Sequence, residues 1–152
     1  MKTIEINIEQ SKVWDEVAKV TAYIGGNMPE DATAYDRISL TDANAEDLER
    51  FWAETCSIAN DNLKDFLNNS NIGKSYIAIL KVSSQYNEAL TSSIIDSIKG
   101  FFINAIVSKW CMFVDKGEAE AYASEAMSMM TDALRKLYYK QRPTTPTRNY
   151  LK

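Results

Sequence analysis

The chain has 152 residues, the size of one domain, with 45% apolar and 25% charged residues, ordinary values for a globular protein. It has no histidine, which excludes imidazole-ligated zinc or copper, Ser-His and Cys-His nucleophile pairs, and an imidazole switch near neutrality. The net charge of −4 is unevenly placed: residues 1–134 hold all 21 acidic residues and 11 of the 17 basic ones, a balance of −10, while residues 135–152 hold the other six basic residues and no acid.

In chain order, "KTIEINI" alternates, with Ile4, Ile6 and Ile8 on one side, and predicts a half-buried strand. Met1 opens into this alternation and not into an apolar run, so no signal peptide is expected. Ser11 is the expected N-cap of a first helix carrying Val13, Trp14, Val17, Val20, Thr21 and Ile24 at helical spacing. Gly25 and Gly26 stop that helix. "NMPEDATAYDRISL" reads as a loop, because a residue before proline avoids helix, with Tyr35 and Ile38 tucked onto the core. Thr41 or Asp42 is the expected cap of a long second helix. Its stripe is Leu48, Phe51, Trp52, Cys56, Ala59, Leu63, Phe66 and Leu67, spaced by three and four.

"NNSNIGKS" is read as the break after that helix, and "YIAILKV" as a short strand pairing with the first in a two-stranded ribbon. From Tyr86 to Asp115 comes the most apolar helix, apolar on more than one face, which predicts a central position or cover by a partner. Its apolar run, Phe101 to Val114, is interrupted by Asn104, Ser108 and Lys109 and is read as too short for a membrane span. Gly117 punctuates, and a last helix from Glu118 to Lys140 carries Tyr122, Ala126, Met127, Met130, Leu134, Leu137 and Tyr138. Pro143 and Pro146 are expected to end it.

The short motifs favour structure over chemistry. "GKS" at Gly73–Ser75 lacks the upstream glycine of a phosphate loop, since Asn68 stands there, and a strand-like run follows where a helix is needed. "NNS" at Asn68–Ser70 reads as a helix-ending turn. Glu46, Asp47, Glu49, Glu54, Glu118, Glu120 and Glu125 read as solvated helix faces, with no cleft predicted to shift their titration. Trp14, Trp52 and Trp110 read as core anchors. Cys56 and Cys111 read as two buried reduced thiols, too few for a disulfide framework, in a chain made in a reducing cytoplasm. No catalytic residue, metal or cofactor is expected.

The one stretch that points outward is the basic end. "RKLYYKQRP" sets Arg135, Lys136, Lys140 and Arg142 around Tyr138 and Tyr139, and "TTPTRNYLK" continues without an acid. Residues 141–152 read as an extended arm separate from a helical domain of residues 1–140. The candidate partner-binding residues are Tyr138, Tyr139, Arg142, Pro143, Pro146, Arg148, Tyr150 and Leu151: arginine for an acidic neighbour, Tyr150 and Leu151 for apolar pockets, and prolines to lower the ordering cost. A solvated, unengaged tail is the competing reading. The fold expected is mainly α: a four-helix, bundle-like domain with a short two-stranded ribbon and the arm.

The stretches "AYDRISLTDANAEDLERFWAETCSIANDNLKDFL", "SIKGFFINAIVSKWCMFVDKGEAEAYASEAMSMM" and "KLYYKQRP" together resemble the small helical head–tail connector, adaptor or head-completion proteins of tailed bacteriophages and prophages. The resemblance covers most of the chain and rests on helix order, the aromatic-rich second and third helices and the basic end. It implies a non-enzymatic virion protein in the neck, forming a homo-oligomeric ring below the portal and touching portal or other neck and tail proteins. DNA would pass through non-specifically, beside an acidic body to which it does not adhere, and no membrane is involved. The strand pair departs from an all-helical member, so a tail-completion or other neck component is a second placement. A cytoplasmic helical adaptor or regulator that binds a protein partner through the same arm is the alternative.

Overall fold

A computed structural model describes residues 1–26 and 44–140. The chain is mainly helical, with four helices and a small antiparallel sheet among the described residues. The elements in order are β1 (Lys2–Glu9), α1 (Gln10–Gly26), α2 (Ala45–Asn62), β2 (Leu67–Ile72), β3 (Ser75–Val82), a 3-10 turn (Glu88–Leu90), α3 (Thr91–Val114) and α4 (Lys116–Tyr138).

The alternation in β1 does what its period requires: Ile6 and Ile8 are buried while Glu5, Asn7 and Glu9 are exposed. Its partner is β3, as the sequence predicts, in an antiparallel register that sets Ile4 opposite Leu80 and Ile8 opposite Tyr76. The two-stranded ribbon is, however, a three-stranded sheet of order β1-β3-β2. The stretch expected to break the second helix, including "NNS", is strand β2, paired with β3 through Asn71–Ile77 and Ile72–Tyr76. A polar segment becomes a strand here because β3 offers it a full row of backbone partners and α2 lies beside it. Asn60 at the end of α2 donates to Ser70 Oγ at 3.1 Å and accepts from the Tyr76 hydroxyl at 2.7 Å. "GKS" forms the turn of the β2–β3 hairpin, where the Gly73 N–H reaches the Ser75 carbonyl at 3.2 Å.

Several boundaries move. Helix α1 begins at Gln10, so Ser11 lies inside it; the Gln10 N–H is satisfied by the Lys74 carbonyl at 3.0 Å, and no side-chain cap is needed there. Helix α2 begins after Asn44, with Thr41, Asp42 and the loop carrying Tyr35 and Ile38 outside the described residues. It ends at Asn62, earlier than its stripe suggested. Leu63 is its buried C-cap, and Phe66 and Leu67 pack from the turn and strand that follow. The break between the last two helices falls at Asp115, not Gly117: Asp115 is extended, with φ −156° and ψ 89°, and its carboxylate accepts from the Gly117 N–H.

Helix α3 is the central element, packed against α1, α2, α4 and β1. Nine of its side chains are buried, among them Ile94, Ile98, Phe101, Phe102 and Ile106. Phe102 collects three aromatic neighbours, with ring centres at 5.1 Å from Trp52, 5.2 Å from Tyr76 and 5.7 Å from Phe101. Such offset contacts add about 0.5–1.5 kcal/mol per pair beyond area burial. Trp14 packs edge-on against Trp52 at 5.8 Å, and Trp52 Nε1 donates to the Gly73 carbonyl at 2.9 Å, which pins the hairpin turn to the core. Trp52 and Trp110 are buried, and Trp14 is half-buried against the same core.

Helices α3 and α4 form an antiparallel pair whose closeness follows from small residues. Ala119, Ala126 and Ala133 recur every seven positions and are all buried. Gly100 faces Met129 so closely that a methyl group on Gly100 would meet the Met129 sulfur at 2.0 Å. Ser108 Oγ donates to the Ala119 carbonyl at 2.8 Å. Against the sequence expectation, Glu88–Val114, 27 residues with a mean hydropathy of 1.3 over its most apolar stretch, is long and apolar enough by length and composition to cross a membrane. In the fold it serves as the core helix.

Candidate functional site

The basic end begins at the close of α4. Arg135 and Lys136 stand in its last turn, where cations complement the negative end of the helix dipole. The helix stops at Tyr138, well before Pro143, because Tyr139 turns extended, with φ −66° and ψ 129°. The Tyr139 N–H closes the helix on the Arg135 and Lys136 carbonyls at 3.1 and 3.2 Å. Lys140 then makes an isolated antiparallel bridge with Tyr86, whose buried ring is held by a 2.8 Å hydrogen bond between its hydroxyl and that of Thr91. The last two described residues are therefore held against the domain, Tyr139 extended and Lys140 paired with Tyr86.

Of the sequence-predicted binding residues, Tyr138 and Tyr139 are described, and both are surface residues, 58% and 53% exposed. Tyr138 packs edge-on against Phe66 at 4.8 Å and donates to Asp65 Oδ2 at 3.2 Å. That hydrogen bond to a carboxylate, aided by partial desolvation, holds the phenol above its ordinary range. Tyr139 lines a cleft of about 290 Å³ with Asn87, Leu90, Arg135 and Lys136. Arg142, Pro143, Pro146, Arg148, Tyr150 and Leu151 lie outside the described residues.

A larger cleft of about 420 Å³ runs between α3 and α4 beside the same arginine. Three of its lining residues, Ser93, Ser97 and Asp132, are tied together through Lys136 beside it. Lys136 Nζ donates to Ser93 Oγ at 2.6 Å and Ser97 Oγ at 3.3 Å, Ser97 Oγ donates to Asp132 Oδ2 at 2.8 Å, and Lys136 pairs with Asp132. The Lys136 and Ser97 hydrogen bonds hold the Asp132 carboxyl below the usual range, so it is an anion at neutral pH and no general acid.

A third groove of about 400 Å³ lies where the last turn of α3 meets α2. Phe113 stacks on Phe51 at 6.1 Å, the Arg50 guanidinium sits over the Phe51 ring at 5.3 Å, and Lys109 pairs with Glu54 at 2.9 Å. Phe113 and Met112 remain 67% and 55% exposed. The sequence placed Phe113 in the apolar run but carried no sign that this turn outreaches its neighbours.

The remaining titratable groups are structural. Cys56 and Cys111 are buried and unpaired with each other, and burial pushes their thiols up to about 12 and about 11. Glu46, Glu49, Glu54, Glu118, Glu120 and Glu125 are exposed, and Asp47 is half-buried beside Arg50 at 3.5 Å. Among the described residues no three His, Cys, Asp or Glu side chains gather as a metal site. The buried polar pairs that sequence reasoning missed, Gln10 Nε2 to Glu49 Oε2 at 3.0 Å and Tyr76 to Asn60, tie helices to the sheet. No family model matches the chain, and no curated protein or solved structure proves similar to it.

Proposed function

We propose that the protein is a structural component of a phage neck: a helical protomer that assembles into a ring at the head–tail junction and docks its neighbours through the basic segment after α4. The observation that carries this reading is the change of character at the end of α4. Exposed Tyr138 and Tyr139, the extended backbone of Tyr139 and the Lys140–Tyr86 bridge stand where an acidic domain gives way to a stretch with no acid. Arg142, Arg148, Tyr150 and Leu151 supply charge and apolar anchors for an acidic, pocketed neighbour, while Pro143 and Pro146 lower the ordering cost of the approach. The resemblance in helix order and in the aromatic second and third helices supports the neck assignment. The acidic body suits a channel along which DNA slides. The place of α3 at the centre of the fold supports a core role for the segment that is long enough to span a membrane.

Size measurement of the purified protein, together with a search for it in virions, tests the reading. A ring-sized species present in particles is the expected result, and a persistent monomer absent from particles overturns it. Recovery of a cellular protein and no virion protein through residues 141–152 would favour the adaptor reading instead.

A further inference from the structure

The two edges of the sheet are built differently. On one side β2 is short, irregular in register between Leu67 and Asn69, and tied to α2 through Ser70 and Asn60. On the other side β1 runs eight residues without a bulge, a proline or a glycine, and β3 is the one strand paired with it among the described residues. Irregularity and cover are how proteins blunt an edge, and a long regular edge is a template for another strand. Among the described residues β1 shows neither device and carries only the charges of its outward row, with Glu5 and Glu9 both acidic.

The basic segment has the matching pattern. Its prolines fall at 143 and 146, and residues 147–152, "TRNYLK", are free of them, so every N–H is available to a ladder. Alternation puts Arg148, Tyr150 and Lys152 on one face and Leu151 on the other. Laid along β1 with the basic face toward Glu5 and Glu9, Leu151 falls on the side of Ile6 and Ile8. Six residues of strand cover about 20 Å of an edge about 26 Å long, and residues 141–146 supply about 20 Å of reach.

We propose that the outer edge of β1, unpaired among the described residues, is the acceptor for residues 147–152 of a neighbouring copy, which add to the sheet as a fourth strand. The inference rests on the ring reading and specifies its contact: one copy's edge receives the next copy's arm, a head-to-tail interface of the kind that closes into rings. The charge match holds in both strand directions. Antiparallel pairing sets Arg148 by Glu9 and Lys152 by Glu5, and parallel pairing exchanges the two. Tyr150 stands opposite Asn7 in either.

That shared pair makes the test independent of direction. Full-length copies carrying Asn7→Cys are mixed with full-length copies carrying Tyr150→Cys and mildly oxidised; buried Cys56 and Cys111 do not compete. The expected result is a disulfide joining the two copies. Assembly without that disulfide overturns the β1 contact and leaves the ring reading intact. A disulfide that forms only within a chain carrying both changes, at high dilution, places the arm on its own edge and also overturns the inference. Wild-type protein that stays monomeric at every concentration overturns the ring reading itself. An independent pair of variants guards against a folding defect. Glu5→Lys with Glu9→Lys is expected to weaken assembly about ten- to a hundredfold, and Arg148→Glu with Lys152→Glu in the same chain to restore it. Absence of restoration, with both chains folded, counts against the pairing.

Discussion

The middle of α3 and the outer side of its last turn carry the same kinds of side chain and meet opposite fates. Phe101 and Phe102 are 1% and 0% exposed, whereas Met112 and Phe113, one α-helical stretch later, are more than half exposed. Composition does not separate them; neighbours do. The middle of the helix is enclosed by the sheet, α1, α2 and α4, while in the last turn Cys111 stays buried and Met112 and Phe113 lie at the surface, beside Phe51 and the Arg50–Glu54 edge of α2. An apolar residue is buried only where several elements converge on it, and Met112 and Phe113 stand outside that convergence.

This contrast can be broken first at its sealed end. Phe102→Ala, which empties the space between Trp52, Tyr76 and Phe101, is expected to cost about 3–5 kcal/mol in urea unfolding. A loss below about 1 kcal/mol would show that this part of the core is no better enclosed than the last turn. Gly100→Leu drives a side chain into Met129 across the α3–α4 contact, and a loss of about 1–3 kcal/mol is expected, softened by the flexibility of methionine. Trp52→Phe keeps most of the aromatic packing but removes the donor to the Gly73 carbonyl, for an expected loss of about 0.5–1.5 kcal/mol. Hydrogen exchange at the hairpin turn reports that change locally.

The open end sharpens the same comparison. Phe113→Ser is expected to cost less than about 1 kcal/mol, since a mostly exposed ring loses mainly its stacking on Phe51. A loss matching that of Phe102→Ala would mean the last turn is covered after all. The smallest effect expected is electrostatic. Asp132 has its folded-state titration lowered by Lys136 and Ser97, so its contribution is present above the ordinary aspartate range and disappears as pH falls through the lowered folded value. Its side chain is 38% exposed, and solvent screening limits the contribution to about 0.3–0.5 kcal/mol, the size of an i,i+4 surface pair. Comparing acid unfolding midpoints of wild type and Asp132→Asn checks both sign and size.

Legibility followed local periodicity. β1, β3 and the four helices were readable because their burial repeats every two residues or every three to four. β2 was not, because "LNNSNI" has no two-residue period and only Ile72 as a strong strand former, and its conformation is imposed by a partner strand. The stripe of α2 ran on through Phe66 and Leu67 because residues after a helix can still face the same core from a turn. At the candidate site, the basic composition was visible in advance, whereas Tyr138, placed by its spacing on the apolar stripe of the last helix, is more than half exposed. The anchoring of Tyr138 by Asp65 and Phe66, and of Lys140 by Tyr86, joins positions far apart in the chain and left no local trace.

By itself the sequence determined the helical class, the strand pair at the heart of the sheet, the buried reduced thiols, and an acidic body ending in a basic segment. Tertiary structure alone decided the third strand, the ends of α1, α2 and α4, the mutual satisfaction of Lys136, Ser97 and Asp132, and which apolar surfaces stay open. The physical reason is one of range. Side-chain spacing and charge act between residues a few positions apart, whereas ladder pairing, enclosure and capping by distant carbonyls depend on which elements meet.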